Sequence, residues 1–183
     1  MRKRSTQGIT LVEAAVLVCI VGALLAAFVP TFIREMRTSK ISEASEALTE
    51  MHRGAATYFA ARFDKPSGRR VGHCLPTAAG PAPARATVDP VEVSFAAEET
   101  PGATTWRALS FEPHGPTRYR YTFAPEASGC ELRGQPGLPL LSVRAEGDLD
   151  GDGKHSLFER TATVDEDGVL VPLGVLHVVD RVE

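Results

Sequence analysis

The chain has no asparagine and only four lysines, Lys3, Lys40, Lys65 and Lys154, against abundant alanine, arginine, glycine and proline. That bias reads as the imprint of a guanine- and cytosine-rich genome and carries no functional signal of its own. Positive charge is short as well: 20 Lys and Arg against 23 Asp and Glu leave a formal charge of −3. Direct nucleic-acid binding is therefore not expected as the main task, since it calls for a basic face. No glycine-rich phosphate loop occurs, and no serine or cysteine stands beside a base that would activate it. His52, His73, His114, His155 and His177 show no metal-ligand spacing with one another, and the Arg69-Arg70 pair reads as part of a solvated loop. The expectation is a protein without enzymatic activity.

What the chain does have is a long apolar run near its start. Residues 14–33 carry no charge, and Arg2, Lys3 and Arg4 precede them. One acid, Glu13, stands at the head of the run, five residues beyond Gly8. A carboxylate at the centre of a membrane span costs about 2.5–3.5 kcal/mol on insertion scales, and less near an end. The pattern Gly8-Ile9-Thr10-Leu11-Val12-Glu13 resembles the class III leader of type IV pilins and pseudopilins. Gly22 and Pro30 fall where that family has a helix-loosening glycine and proline, and Pro30 is expected to kink or locally melt the helix. The chain departs from the family at Gln7, at Ile9 and at the Ala14-Ala15 pair. The close match covers about residues 1–35.

The resemblance implies cleavage between Gly8 and Ile9 by a prepilin peptidase that also methylates the new N-terminus at Ile9. It implies that Glu13 attracts the terminal amine of a neighbouring subunit as a filament grows. An unpaired carboxylate and an unpaired ammonium in hydrocarbon gain greatly by meeting. Its partners would be other copies, other pilins and an inner-membrane assembly platform. The protein would sit as a single-pass inner-membrane protein with its domain in the periplasm, then in a surface pilus or a periplasmic pseudopilus. A secretory signal peptide fits less well, because the apolar run is too long and lacks a small-residue cleavage site in the usual place. A plain anchor leaves Glu13 unexplained.

Removing residues 1–8 takes away Arg2, Lys3 and Arg4 and moves the formal charge from −3 to −6. Cys19 lies within the apolar helix and is expected to behave as a small hydrophobe. Cys74 and Cys130 lie in the part that would be exported, where an oxidising compartment permits a disulfide. The alternative is two buried free thiols.

The expected fold class is α+β: a long N-terminal helix packed on a small antiparallel β-sheet, as in pilin-like proteins. The organisation is a leader over 1–8, a membrane-spanning or filament-core helix over 9–33, and the amphipathic half of the same helix over 34–64. A loop-rich excursion follows over 65–104, then an antiparallel β region over 105–183. The amphipathic half rests on Ile41, Ala44, Leu48, Met51, Ala55, Tyr58 and Phe59, which recur at helical spacing. Glu43, Glu46, Glu50 and Arg53 are expected mostly on its polar surface. A coiled coil would need a longer stripe. Lys65-Pro66-Ser67-Gly68 is expected to end the helix at about Asp64. Strands are expected at 91–95, 106–111, 118–123, 140–145, 159–164 and 169–171, with a hairpin turn at Asp165-Glu166-Asp167-Gly168. The run from Trp106 to Phe111, followed by Tyr119-Arg120-Tyr121, is also similar to the globular domain of some pilin-like proteins.

The second strong pattern is Asp148-Leu149-Asp150-Gly151-Asp152-Gly153-Lys154-His155-Ser156-Leu157-Phe158-Glu159. Carboxylates at positions one, three, five and twelve and glycine at six match the calcium loop of an EF-hand. In that arrangement Asp148, Asp150 and Asp152 turn inward around a hard cation and the Lys154 carbonyl joins them. Ser156 contributes through water and Glu159 closes the shell with two oxygens. The flanks favour strands rather than EF-hand helices, so a single structural Ca2+ clip is expected instead of a paired sensor. Mg2+ fits less well because it demands a tighter octahedron. The plain alternative is a solvated turn that uses aspartate and glycine for their turn geometry.

Three functions follow from these readings. The first is a pilin-like structural subunit, with a pseudopilin of a type II secretion system as its close variant. The second is a membrane-anchored ligand-binding module, and the third, least supported, is a tethered enzyme.

Overall fold

The computed structural model describes residues 10–180, apart from the side chains of residues 30–40. The expected cleavage pair Gly8 and Ile9 and the side chain of Pro30 lie outside the described residues. The chain forms two compact units that divide between Lys40 and Ile41.

The first unit holds the early part of helix α1, Leu11–Ala60. Leu11–Val29 has a mean hydropathy of 2.6, and none of it is buried. Its 19 residues rise about 28 Å as an α-helix, close to the thickness of a bilayer's hydrocarbon core. This is one helix apolar enough to cross a membrane. The helical backbone continues through Pro30, so the locally melted stretch expected there is absent from the described backbone.

In the second unit, residues 41–60 of α1 bury Ala44, Ala47, Leu48, Met51, Ala55 and Phe59. Their recurrence at three and four residues is that of a single helix face, and Ile41 packs partly buried beside them. The helix stops at Ala60, four residues before the expected end. Phe63–Asp64 forms a short strand, β1, which pairs with Arg70–Val71, β2. Lys65 to Gly68 thus close a hairpin instead of capping a helix. Pro66 biases Lys65 away from the α region, and Gly68 takes φ 75°. Tyr58 lies half-buried against the Phe63 ring, with centroids 4.8 Å apart.

The sheet has five antiparallel strands in chain order: β3 (Ala79–Ala82), β4 (Arg120–Pro125), β5 (Leu141–Gly147), β6 (Ser156–Val164) and β7 (Leu170–Val179). The turn at Asp165 to Gly168 joins β6 to β7, with the Val169 amide donating to the Asp165 carboxylate. Alternation along β4 and β5 sends Tyr121, Phe123, Val143 and Ala145 into one core with the buried face of α1. The architecture is therefore α+β, as expected at that level.

Two expected strands are different. Trp106 to Phe111 is not a strand; Ala103–Ala108 is a short helix, α2. Ala103, Trp106 and Leu109 are buried at spacing three, which suits a helical turn and not an alternating strand. The Trp106 indole N–H donates to the Pro101 carbonyl at 2.9 Å. Val91 to Phe95 makes one isolated bridge, Val91 to Thr117. Phe95 then inserts among Trp106, Phe111 and Tyr121, with centroids 5.3–6.0 Å away.

Glu43 also leaves its expected place on the polar surface. Its Oε1 accepts from Thr117 Oγ1 at 2.7 Å and from the Arg118 amide at 3.0 Å. Thr117 Oγ1 in turn lies 3.2 Å from the Tyr121 hydroxyl. The carboxylate thereby satisfies buried polar groups just ahead of β4, a place where leaving them unpaired would be expensive.

Candidate functional site

Two places concentrate polar chemistry: the first turn of α1 and the loop between β5 and β6.

At the head of the apolar helix, Glu13 and Thr10 bond reciprocally. Glu13 Oε2 accepts from the Thr10 amide and from Thr10 Oγ1, both at 2.8 Å, while the Glu13 amide donates to Thr10 Oγ1 at 3.3 Å. This is a capping box, in which threonine and a glutamate three residues later satisfy the free amides of a helix start. The spacing Thr10-x-x-Glu13 was a readable signal for it. It gives Glu13 a local partner, so the acid is not unexplained even in a plain anchor. Gly22 has open space around its α-carbon.

The acidic loop is built by the register of its strands. Gly147 pairs with Ser156 at the last rung between β5 and β6, so residues 148–155 form the hairpin loop. Asp148 accepts from the amides of Gly151 at 2.8 Å and Gly153 at 3.3 Å. Asp150 accepts from the Asp152 amide at 3.2 Å, and Asp152 from the Lys154 amide at 2.8 Å. Gly151 and Gly153 take φ 81° and 87°, as such tight turns require. One oxygen from each of Asp148, Asp150 and Asp152 falls within 4.8 Å of the others. Lys154 Nζ lies 2.9 Å from Asp152 Oδ2. The side-chain and backbone bonds from Lys154 hold the Asp152 carboxyl below the usual aspartate range.

Two members of the expected ligand set, Ser156 and Glu159, are engaged elsewhere. Ser156 is buried and donates to the Gly147 carbonyl at 3.1 Å. Glu159 stands opposite Arg144 in the ladder and accepts from its Nε at 2.7 Å. The reason is the flanking structure. From Ser156 to Glu159 a strand rises about 10 Å, whereas a helix would rise about 4.5 Å and bring position twelve back over the loop. β6 thus carries Glu159 away from the three aspartates. The donor set that gathers is therefore Asp148, Asp150 and Asp152, three hard oxygen donors that suit a cation of the Ca2+ type along one side of its shell.

The root of this loop lies in the core. Leu149 is buried, and a Cβ on Gly147 would come within 2.6 Å of the Tyr119 ring. Burial pushes the Tyr119 phenol well above its ordinary range, and its ring meets Phe158 edge-on at 5.8 Å.

Cys74 and Cys130 form a disulfide, as the exported reading expected, while Cys19 is free and exposed. Comparison with protein-family models, with curated proteins and with solved structures finds no match to this chain.

Proposed function

We propose that this chain is a type IV pilin-like structural subunit, cut between Gly8 and Ile9, methylated at Ile9 and polymerised through its apolar helix. The observation that carries the reading is a fully exposed apolar helix over Leu11–Val29 whose only acid, Glu13, stands in its first turn. Such a surface needs either lipid or the same helix of neighbouring subunits. A carboxylate at its head offers the new terminal amine a partner inside that apolar packing. On this reading the subunit waits in the inner membrane with residues 41–183 in the periplasm. A prepilin peptidase/methyltransferase processes it, and the assembly platform passes it into a pilus, or into the pseudopilus of a type II secretion system.

The capping box makes a sharp test available, because its two roles for Glu13 separate. Glutamine also serves at that helix position, so Glu13→Gln keeps the cap and removes the charge. Thr10→Val removes the cap, worth about 1 kcal/mol, and keeps the charge. Breaking a buried ion pair from one side costs about 3–5 kcal/mol, which is upward of about 100-fold per interface. Filaments sheared from cells should vanish with Glu13→Gln and persist with Thr10→Val. Normal filaments, or normal function without any filament, in the Glu13→Gln strain would leave an anchored ligand-binding module as the better account.

The same proposal includes Ca2+ as a structural ion at Asp148, Asp150 and Asp152, neutralising three carboxylates that otherwise repel one another. At free Ca2+ 100-fold above its dissociation constant, the fold gains about 2.7 kcal/mol. Thermal unfolding should therefore shift upward with Ca2+ and return with chelator, and Asp150→Asn should abolish the shift. Glu159→Gln should leave it in place, because Glu159 is held by Arg144. An identical melting curve with and without chelator removes the ion.

A further inference from the structure

One arginine points toward the core side of the sheet. On β6, Phe158 and Ala162 are buried in the core that α1 covers, and Arg160 shares their face by the alternation of a strand. β7 supplies no rung opposite it, because the register jumps from Glu159–His177 to Thr161–Leu173. Arg160 enters no ion pair among the described residues. Its Nε is buried and makes no hydrogen bond.

From the other side of the seam comes His52, half-buried on α1 beside the buried Met51. Its Nε2 is likewise buried without a hydrogen bond. Arg160 on β6 is the charged group that acts on this imidazole, and from β7 the Val171 carbonyl faces it. Burial pushes the ring's pKa down and the Arg160 charge adds to this, while the carbonyl pulls it part-way back. Buried polar atoms without partners are few and costly in folded proteins. Here two of them belong to a fixed cation and to a ring that can become one.

We infer that His52 and Arg160 form an acid-sensitive latch between α1 and β6, closed while the imidazole is neutral and loosened when it gains a proton. A neutral ring tolerates a guanidinium at its side, because one of its nitrogens still offers a lone pair. A protonated ring has only donors and a positive charge. Neither group has a carboxylate partner among the described residues to absorb the repulsion. In a half-buried seam like charges repel more strongly than in water. Histidine is also the side chain whose charge ordinarily changes near pH 6.5, so the seam responds to mild acid. The inference concerns the 41–183 unit alone and does not rest on the filament reading.

Thermal unfolding of the full chain in detergent, from pH 7.5 down to 5.5, tests it. Because folding favours the neutral ring, the contribution of His52 is fully present above about pH 6.5 and is lost as pH falls below it. There the unfolded chain binds up to one proton more than the folded chain, which raises the unfolding constant by up to about tenfold per pH unit. The wild-type midpoint should therefore fall about 3 °C further across this range than that of His52→Gln, whose side chain does not titrate. Arg160→Met, which removes the charge and keeps an apolar stem, should shrink the fall. An NMR titration of the His52 ring reads the pair in chains that keep the histidine. The ring should titrate below its ordinary range in the wild type and move up in Arg160→Met. Equal falls in the wild type and His52→Gln, or a ring titration that Arg160→Met leaves in place, overturns the inference. Loss of filaments in Glu13→Gln would leave these pH profiles unchanged.

Discussion

Replacing Cys74 and Cys130 together by serine should lower stability by about 4 kcal/mol. The bridge closes a loop with a sequence separation of 56, and the chain-entropy relation gives that magnitude for a loop of this length. For a domain of this size each kcal/mol moves the midpoint by about 2–4 °C, so the expected drop is about 8–16 °C. The structure shows why the bridge matters here. It sits in a short ladder in which Leu75 and Gly129 exchange both amide bonds at 2.9 Å, flanked by Glu131 to Gly72 and Leu132 to His73. Each such bond contributes only about 1 kcal/mol net, too little to hold two distant segments together against their loop entropy. Cys74 is buried but Cys130 is exposed, so a reductant can reach the bridge in the folded protein. Thermal unfolding of the full chain with and without reductant measures the effect. Unchanged midpoints would show that the ladder holds without the bridge. Thiol labelling of unreduced protein should reach Cys19 alone.

The parts of the fold that could be read beforehand are those where one periodicity dominates. The stripe from Ala44 to Phe59 has helical spacing over several turns, and its members are the buried ones. Burial alternates over Arg120 to Phe123 of β4 and in part along β5 and β6, and Asp165 to Gly168 carries turn chemistry that suits a hairpin. The misreadings come from places where two signals compete. In α2 the aromatic residues Trp106 and Phe111 favour a strand, and a helix of under two turns is too short for its spacing to outweigh that. A strand was expected over 169–171 only, whereas β7 runs through Pro172 and Gly174 to Val179; at an edge, proline leaves no inner hydrogen bond unmade and glycine accommodates a bulge. Glu43 shows a different limit. Nothing near it in sequence reveals that Thr117 and Arg118 need an acceptor, because that need arises only from tertiary packing. The acidic loop divides along the same line. Asp148, Asp150 and Asp152 come together through local turns, which sequence encodes directly, whereas the position of Glu159 depends on whether a strand or a helix follows.

Gly54 is a position where the fold reverses an ordinary expectation. On an exposed helix, replacing glycine by alanine stabilises by about 1 kcal/mol, because alanine loses less backbone freedom. Here a Cβ on Gly54 would stand 2.0 Å from the Leu109 carbonyl oxygen, 3.0 Å from its carbonyl carbon and 3.3 Å from its α-carbon. These are backbone atoms, so no rotamer change relieves the overlap. Nor can that backbone easily withdraw. The Leu109 amide is bonded to Thr105 and the Phe111 amide to Trp106, at 2.9 and 3.0 Å. The side chains of Trp106, Leu109 and Phe111 are all buried, and two of those rings pack edge-on against Phe95. Moving α2 away from α1 would open that aromatic cluster. Overpacking of this kind costs about 1–3 kcal/mol or more, which outweighs the gain in helix propensity. Gly54→Ala should therefore lower the melting midpoint, and Gly54→Val should lower it further. The sign alone is diagnostic: a higher midpoint for Gly54→Ala would mean that the two helices do not approach as closely as their backbones do here.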